Sequence, residues 1–193
     1  TQVVQKMRAN GWRSIGVTAT KGGEGKTLTA INLALSLANQ PDQDVVLVDL
    51  DLHRHTVATY LGIEDHGELL DVLDGAPLNE GLIQYGDRRL FMLLNDTRVP
   101  NSSERLAGPE AANLVEQVRG FGGIAIYDLP PLLYADDYLA FSSQVDCTLL
   151  VVSEGETERA ELLRAKELLN ETELVGIVLN KSKERALMES YYY

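Results

Sequence analysis

Residues 14–37 read SIGVTATKGGEGKTLTAINLALSL. The stretch opens with Ile15, Val17 and Thr18, side chains that suit a strand, and turns through Gly22, Gly23 and Gly25. From Thr27 the apolar residues fall at helical spacing. Strand, glycine turn, Lys26-Thr27 and helix are the parts of a P-loop in their usual order. Thr20 stands where the common pattern has its first glycine, and Lys21 with paired glycines gives the variant KGGxGKT. Glycines let consecutive N–H groups face one concavity, and the dipole of the following helix adds positive potential, so the turn makes a nest for a polyphosphate. The expected nucleotide contacts are Lys21, Gly22, Gly23, Glu24, Gly25, Lys26, Thr27 and Leu28. Lys26 is expected to reach the β- and γ-phosphates, and the Thr27 hydroxyl to take Mg²⁺, which makes ATP or ADP with Mg²⁺ the expected ligands.

Outward from this stretch the chain alternates buried strands with helical segments. Residues 45–48, 124–127, 148–152 and 175–179 are short apolar runs of the kind buried on both faces of a parallel sheet, and 89–94 reads as a further strand. Helical spacing covers 2–10, 27–39, 110–118 and 157–169, with a short helix at 67–73. Asn10-Gly11 ends the first helix, Trp12 is expected to pack it onto the domain, and Gly120, Gly122 and Gly123 are read as ending the 110–118 helix. The predicted fold is an α/β P-loop NTPase: a doubly wound, mostly parallel sheet with helices on both faces. Residues 1–181 form its nucleotide-binding domain, and 182–193 a tail.

Three acids sit where ligands of open α/β sheets bind, at the carboxyl ends of strands. Asp49 and Asp51 flank one residue after the 45–48 strand, and side chains two apart in an extended segment point the same way. Asp128 ends the 124–127 strand as a Walker B acid does, with Pro130 and Pro131 stopping the strand behind it. Asp51 and Asp128 join Thr27 as expected Mg²⁺ ligands. Asn180, after the last strand, offers a donor and an acceptor that match an adenine edge, or is a plain turn asparagine. Asp136 and Asp137 read as a helix start, and Arg88-Arg89 as a solvated strand start.

Composition narrows the partners. A net charge of −12 opposes general electrostatic binding to nucleic acid or anionic lipid, so no nucleic-acid partner is expected. No apolar run approaches the ~20 residues that span a bilayer, so no direct membrane span and a cytoplasmic location are expected. The chain starts at Thr1, which reads as a fragment of a longer protein. The single Cys147, in an apolar run, excludes a disulfide framework and reads as a core thiol; His53, His55 and His66 form no metal-ligand pattern. Three of the eight tyrosines end the sequence as Tyr191, Tyr192 and Tyr193, an aromatic cluster that reads as bound, modified or docked.

ATKGGEGKT, VVLVDLDLHR, IAIYDLPP, GIVLN and the tyrosine cluster, in this order, resemble the bacterial tyrosine kinases that control capsular and exopolysaccharide synthesis, P-loop proteins related to MinD and ParA. The resemblance covers nearly the whole chain. It implies an ATP:protein-tyrosine phosphotransferase that autophosphorylates Tyr191, Tyr192 and Tyr193, in trans within a homo-oligomer. It also implies a membrane-embedded polysaccharide co-polymerase as activator, which recruits the domain to the inner face of the cell membrane. Lys26, Asp49, Asp51 and Asp128 are the implied catalytic residues, with one of the Asp49/Asp51 pair accepting the tyrosine proton. The chain departs from the pattern at four places. His53 replaces an arginine, with Arg54 next to it. Leu129 replaces Thr or Ser, and an oligomerisation motif Glu-x-x-Arg-x-x-Arg falls on Gln2, Gln5 and Arg8. Lys21 is the lysine that reaches across the nucleotide-sandwich dimer in MinD and ParA. A dimerising switch ATPase of that kind, or a nucleotide-binding regulator with little catalysis, are therefore alternative functions.

Overall fold

In the computed structural model, which describes residues 2–54, 56–64, 66–133 and 136–183, seven strands form one sheet. They are β1 (Ser14–Ala19), β2 (Val45–Asp49), β3 (Ile83–Gln84), β4 (Leu90–Leu93), β5 (Ile124–Asp128), β6 (Cys147–Ser153) and β7 (Leu174–Asn180). Their spatial order is β3-β4-β2-β5-β1-β6-β7, and every neighbouring pair is parallel except β3 with β4. The helices are α1 (Gln2–Asn10), α2 (Lys26–Ala38), α3 (Thr56–Leu61), α4 (Leu69–Leu73), α5 (Leu78–Gly81), α6 (Ser102–Ala107), α7 (Pro109–Phe121), α8 (Asp137–Phe141) and α9 (Arg159–Leu168).

The apolar runs of the strands are continuous because both faces are covered. On β2 and β5, Val45, Leu47, Ile124 and Ile126 pack with Met7 of α1 and Ile31, Ala34 and Leu37 of α2. The alternate residues Val46, Val48, Ala125 and Tyr127 pack with α4, α7, α8 and α9 on the other side. Period-two alternation thus divides each strand between two apolar layers rather than between core and water. Trp12 packs against the α1/α2 layer, as the sequence predicts. Cys147 is buried, and burial pushes its thiol up to about 12.

Several boundaries differ from the sequence reading for identifiable reasons. Gly120 lies inside α7, which runs on to Phe121; the helix stops at Gly122, whose φ of 90° leaves the helical region. α9 begins two residues later than expected, because the Thr157 hydroxyl bonds Ser153 N and the Glu24 carboxylate while Glu158 and Glu161 form a capping box. β3 escapes periodicity at two residues long, and the 89–94 strand shortens to Leu90–Leu93. Arg89 is not merely solvated: its Nε and Nη2 grip Asp44 at 2.7 and 2.9 Å, tying the entry of β4 to that of β2.

Gly123, at the entry of β5, has φ +84°, and a Cβ there would stand 2.2 Å from the Asp44 carbonyl oxygen. Gly122, at φ +90°, meets nothing within 4 Å. Gly123→Ala is expected to destabilise the fold by about 2 kcal/mol or more and Gly122→Ala by about 1 kcal/mol. Urea unfolding of both variants checks the ranking, which equal midpoints would contradict.

Candidate functional site

Strand register assembles the acids. β2 and β5 pair so that Asp49 lies beside Asp128, and β5 pairs with β1 so that Asp128 lies beside Val17. Both carboxylates therefore reach the end of the sheet from which the glycine turn leaves β1. Gly23 and Gly25 take φ of +88° and +93°, and no side chain caps α2, so the first amides of that helix face the turn. Gly22, Gly23, Gly25, Lys26, Thr27 and Leu28 line the resulting cradle, closed on the far side by Asp51, Arg54 and Pro131.

The loop is held from below. The buried Glu24 carboxylate accepts from the Thr20 hydroxyl at 2.7 Å, from Lys21 N at 3.0 Å and from the Thr157 hydroxyl. Asn180 Nδ2 donates to the Glu24 carbonyl at 2.8 Å and lies against Gly25, where a Cβ would stand 2.1 Å from it. Glu24 and Asn180 therefore hold the loop's shape through their side chains.

Lys26 turns down into the acids. Its ammonium lies 2.7 Å from Asp51 and 3.2 Å from Asp128, and the Thr27 hydroxyl donates to Asp128 at 2.7 Å. Asp49 accepts from the backbone N–H groups of Asp51 and Val57, each at 3.3 Å. Three buried carboxylates thus share one ammonium. Burial, and the Asp128 charge after it, hold Asp49 well above the usual carboxylate range; burial raises Asp128 too, against the pull of Lys26 and Thr27. Burial lowers the Lys26 pKa, but Asp128 and Asp51 outweigh it and hold the ammonium above its ordinary value. Asp51 Oδ1 is buried without a hydrogen-bond partner. An all-oxygen donor set of Thr27, Asp51 and Asp128 with surplus negative charge fits a hard divalent cation such as Mg²⁺.

Residues 15–192 match the CobQ/CobB/MinD/ParA nucleotide binding domain. Tyrosine-protein kinase YwqD of Bacillus subtilis is 32% identical over 184 residues, which cover 94% of this chain and 77% of that protein. The chain belongs to the bacterial tyrosine kinases. Tyrosine-protein kinase CpsD of Streptococcus pneumoniae serotype 4 is 30% identical over 171 residues, 86% of this chain and 75% of that protein. The kinase domain of the Escherichia coli tyrosine kinase ETK superposes with a TM-score of 0.85 at 25% identity, covering 96% of this chain and 73% of that one.

Among bacterial tyrosine kinases this chain's departures now have locations. His53 turns from the cradle: its Nε2 lies 3.1 Å from the buried Asp137 and 3.2 Å from the Ser102 hydroxyl. Arg54 takes the opposite direction, and a Cβ on Gly22 would stand 3.0 Å from its guanidinium. Leu129 is a core residue whose side chain packs against Gly16, so a hydroxyl at that position would point into the apolar layer. Lys21 pairs within its own chain, 2.7 Å from Glu161, and donates to the Glu156 carbonyl at 2.8 Å. Arg98, Thr56, Thr157 and Glu161 contribute to the site without a sequence signal, whereas Arg54 was marked by its place beside His53. Asp136 precedes α8 and makes no side-chain cap bond. Away from the cradle, His66 gathers with Glu68 and Asp96, potential ligand atoms within 4.8 Å of one another, which spacing had not indicated. Tyr191, Tyr192, Tyr193 and His55 lie outside the described residues.

Lys26→Met leaves three buried acids without their cation. Melting temperature is expected to drop, corresponding to about 3 kcal/mol, with millimolar Mg²⁺ restoring part of it. Asp49 and Asp128 have raised pKa values, so the stability they contribute is greatest at low pH and is lost as pH rises through those values. The thermal shift given by Mg·ADP to the unsubstituted chain is accordingly expected to grow from about pH 5 to about pH 8. A shift independent of pH would contradict the assignment of Asp128 to the cation.

Proposed function

We propose that this bacterial tyrosine kinase binds Mg·ATP in the cradle and transfers the γ-phosphoryl group to tyrosines of the 182–193 segment, Tyr191, Tyr192 and Tyr193. The observation that carries the mechanism is the position of Asp51. Asp51 lines both the phosphate cradle and a larger neighbouring cavity; one of its oxygens faces Lys26, and the other is buried without a hydrogen-bond partner. A phenol entering from that cavity meets the Asp51 side chain on its wall. With pKa ~10 it needs such a base as its oxygen attacks.

In this mechanism Lys26 and the amides of the glycine turn hold the phosphates, and Lys26 swings up from the acids as the nucleotide arrives. Thr27, Asp51 and Asp128 would hold Mg²⁺, which would supply neutralisation of the phosphate charge. Asp49, fixed by the amides of Asp51 and Val57, sets the geometry of the loop that carries Asp51. The phenolic proton passes to Asp51, the bond from γ-phosphorus to the ADP oxygen breaks, and a phosphate ester forms on the tyrosine. Asn180, whose Nδ2 holds the Glu24 carbonyl, keeps its amide oxygen for the adenine amino group.

The resemblance extends the proposal to its setting. The chain phosphorylates neighbouring copies in trans within a homo-oligomer, at the inner face of the membrane, under a membrane-embedded activator of capsular or exopolysaccharide polymerisation and export. No helix among the described residues is long and apolar enough to cross a membrane. The switch-ATPase alternative rests on Lys21, which here pairs with Glu161 of its own chain.

Intact mass after incubation with Mg·ATP and an activator segment is expected to rise in steps of one phosphate. Replacing Tyr191, Tyr192 and Tyr193 by Phe removes most of the incorporation while nucleotide binding persists. Asp51→Asn is expected to slow transfer by about 10²–10⁴-fold. ADP release without any mass gain would replace the kinase by the switch ATPase.

A further inference from the structure

Beyond Asp51 the cradle opens into a cavity of about 690 Å³. Asp51, Arg54, Gly22 and Pro131 line both spaces, and His53 and Arg98 belong to the larger one. The chain as a whole carries −12, yet this cavity's walls are cationic. His53 is engaged by Asp137 and Lys21 by Glu161. Among the described residues Arg54 and Arg98 make no ion pair. Their placement is fixed by backbone: Arg54 N donates to the Asp51 carbonyl at 3.0 Å, and Val99 N donates to the Leu52 carbonyl at 3.1 Å, which brings Arg98 beside the loop that carries Asp51.

Two guanidiniums line one cavity whose single carboxylate, Asp51, is already paired with Lys26. A planar fork of N–H donors matches a phosphate ester. The cavity is also larger than one phenol ring needs and falls in the range of sites that hold several groups. This inference rests on the proposed function, in which a tyrosine of the 191–193 cluster reaches Asp51. In an extended segment, residues two apart point the same way about 7 Å apart, so a second tyrosine of the cluster enters the cavity with the first.

We propose that Arg54 and Arg98 form a subsite for the phosphate ester of a tyrosine already phosphorylated in the cluster, while a neighbouring tyrosine meets Asp51. Each transfer then creates the anion that anchors the segment for the next one, so multiply phosphorylated tails accumulate ahead of the singly phosphorylated form.

The test uses the full chain saturated with Mg²⁺ and a β,γ-imido analogue of ATP, so that the γ-phosphate position is filled and a phosphopeptide cannot bind there as product. Fluorescence anisotropy compares a peptide of residues 184–193 carrying phosphate on Tyr193 with the same peptide unphosphorylated. The phosphopeptide is expected to bind at least about tenfold more tightly, with a preference that weakens as salt rises and is lost in Arg98→Gln and Arg54→Gln. Equal affinities in the unsubstituted chain, or a preference that survives both substitutions, would overturn the subsite. Displacement of the phosphopeptide by an equal concentration of inorganic phosphate would also overturn it, in favour of a free-phosphate site. Transfer from ATP to the unphosphorylated peptide, assayed in parallel, reports on the kinase itself: no transfer with the preference intact removes the kinase and leaves the subsite.

Discussion

The pairing of Lys26 with Asp51 and Asp128, in a space also facing Asp49, is the interaction on which the site depends. Charges of this kind are costly to bury and are tolerated only where the backbone gives them no alternative. Here the parallel register sets Asp49 beside Asp128, and the glycine turn delivers Lys26 above them. The fold gathers an excess of negative charge at this point, and one ammonium offsets part of it. In the proposed mechanism the same lysine serves two states, as internal counter-ion in one and as phosphate ligand in the other.

This double use explains why the loop is braced so heavily from behind. If Lys26 changes partners, the backbone carrying it must not follow. Glu24, held by Thr20, Lys21 N and Thr157, fixes one side of the turn, and the Asn180 amide fixes the carbonyl at its crest. These contacts come from β1, the loop after β6 and the end of β7, so three strands share the load.

Much of this was legible in the sequence, and the parts that were not share a cause. The P-loop, the buried strands and the three acids announce themselves because each is a local pattern: glycines before Lys-Thr, apolar runs, acids at strand ends. Leu129 and His53 looked like losses at the site, since a linear motif assumes that neighbouring positions face the same way. In three dimensions Leu129 belongs to the apolar layer and His53 to Asp137, so neither removes a group from the cradle. Arg98 and Glu161 were invisible for the converse reason, lying far along the chain with only the sheet bringing them near. Thr157 was read as helix because its spacing fits one, whereas its hydroxyl is spent on Ser153 and Glu24.

Cys147 adds an experimental handle. It sits at the start of β6, opposite Ile15 of β1, the strand that feeds the glycine turn, and its sulfur lies 3.6 Å from the Ser14 carbonyl. A thiol both enclosed and held at a high pKa is inert to alkylating reagents in the folded chain. Because the sequence has one cysteine, each labelling event counts a single opening of β1 from β6, and its rate measures how firmly the nucleotide-bearing strand is locked in place.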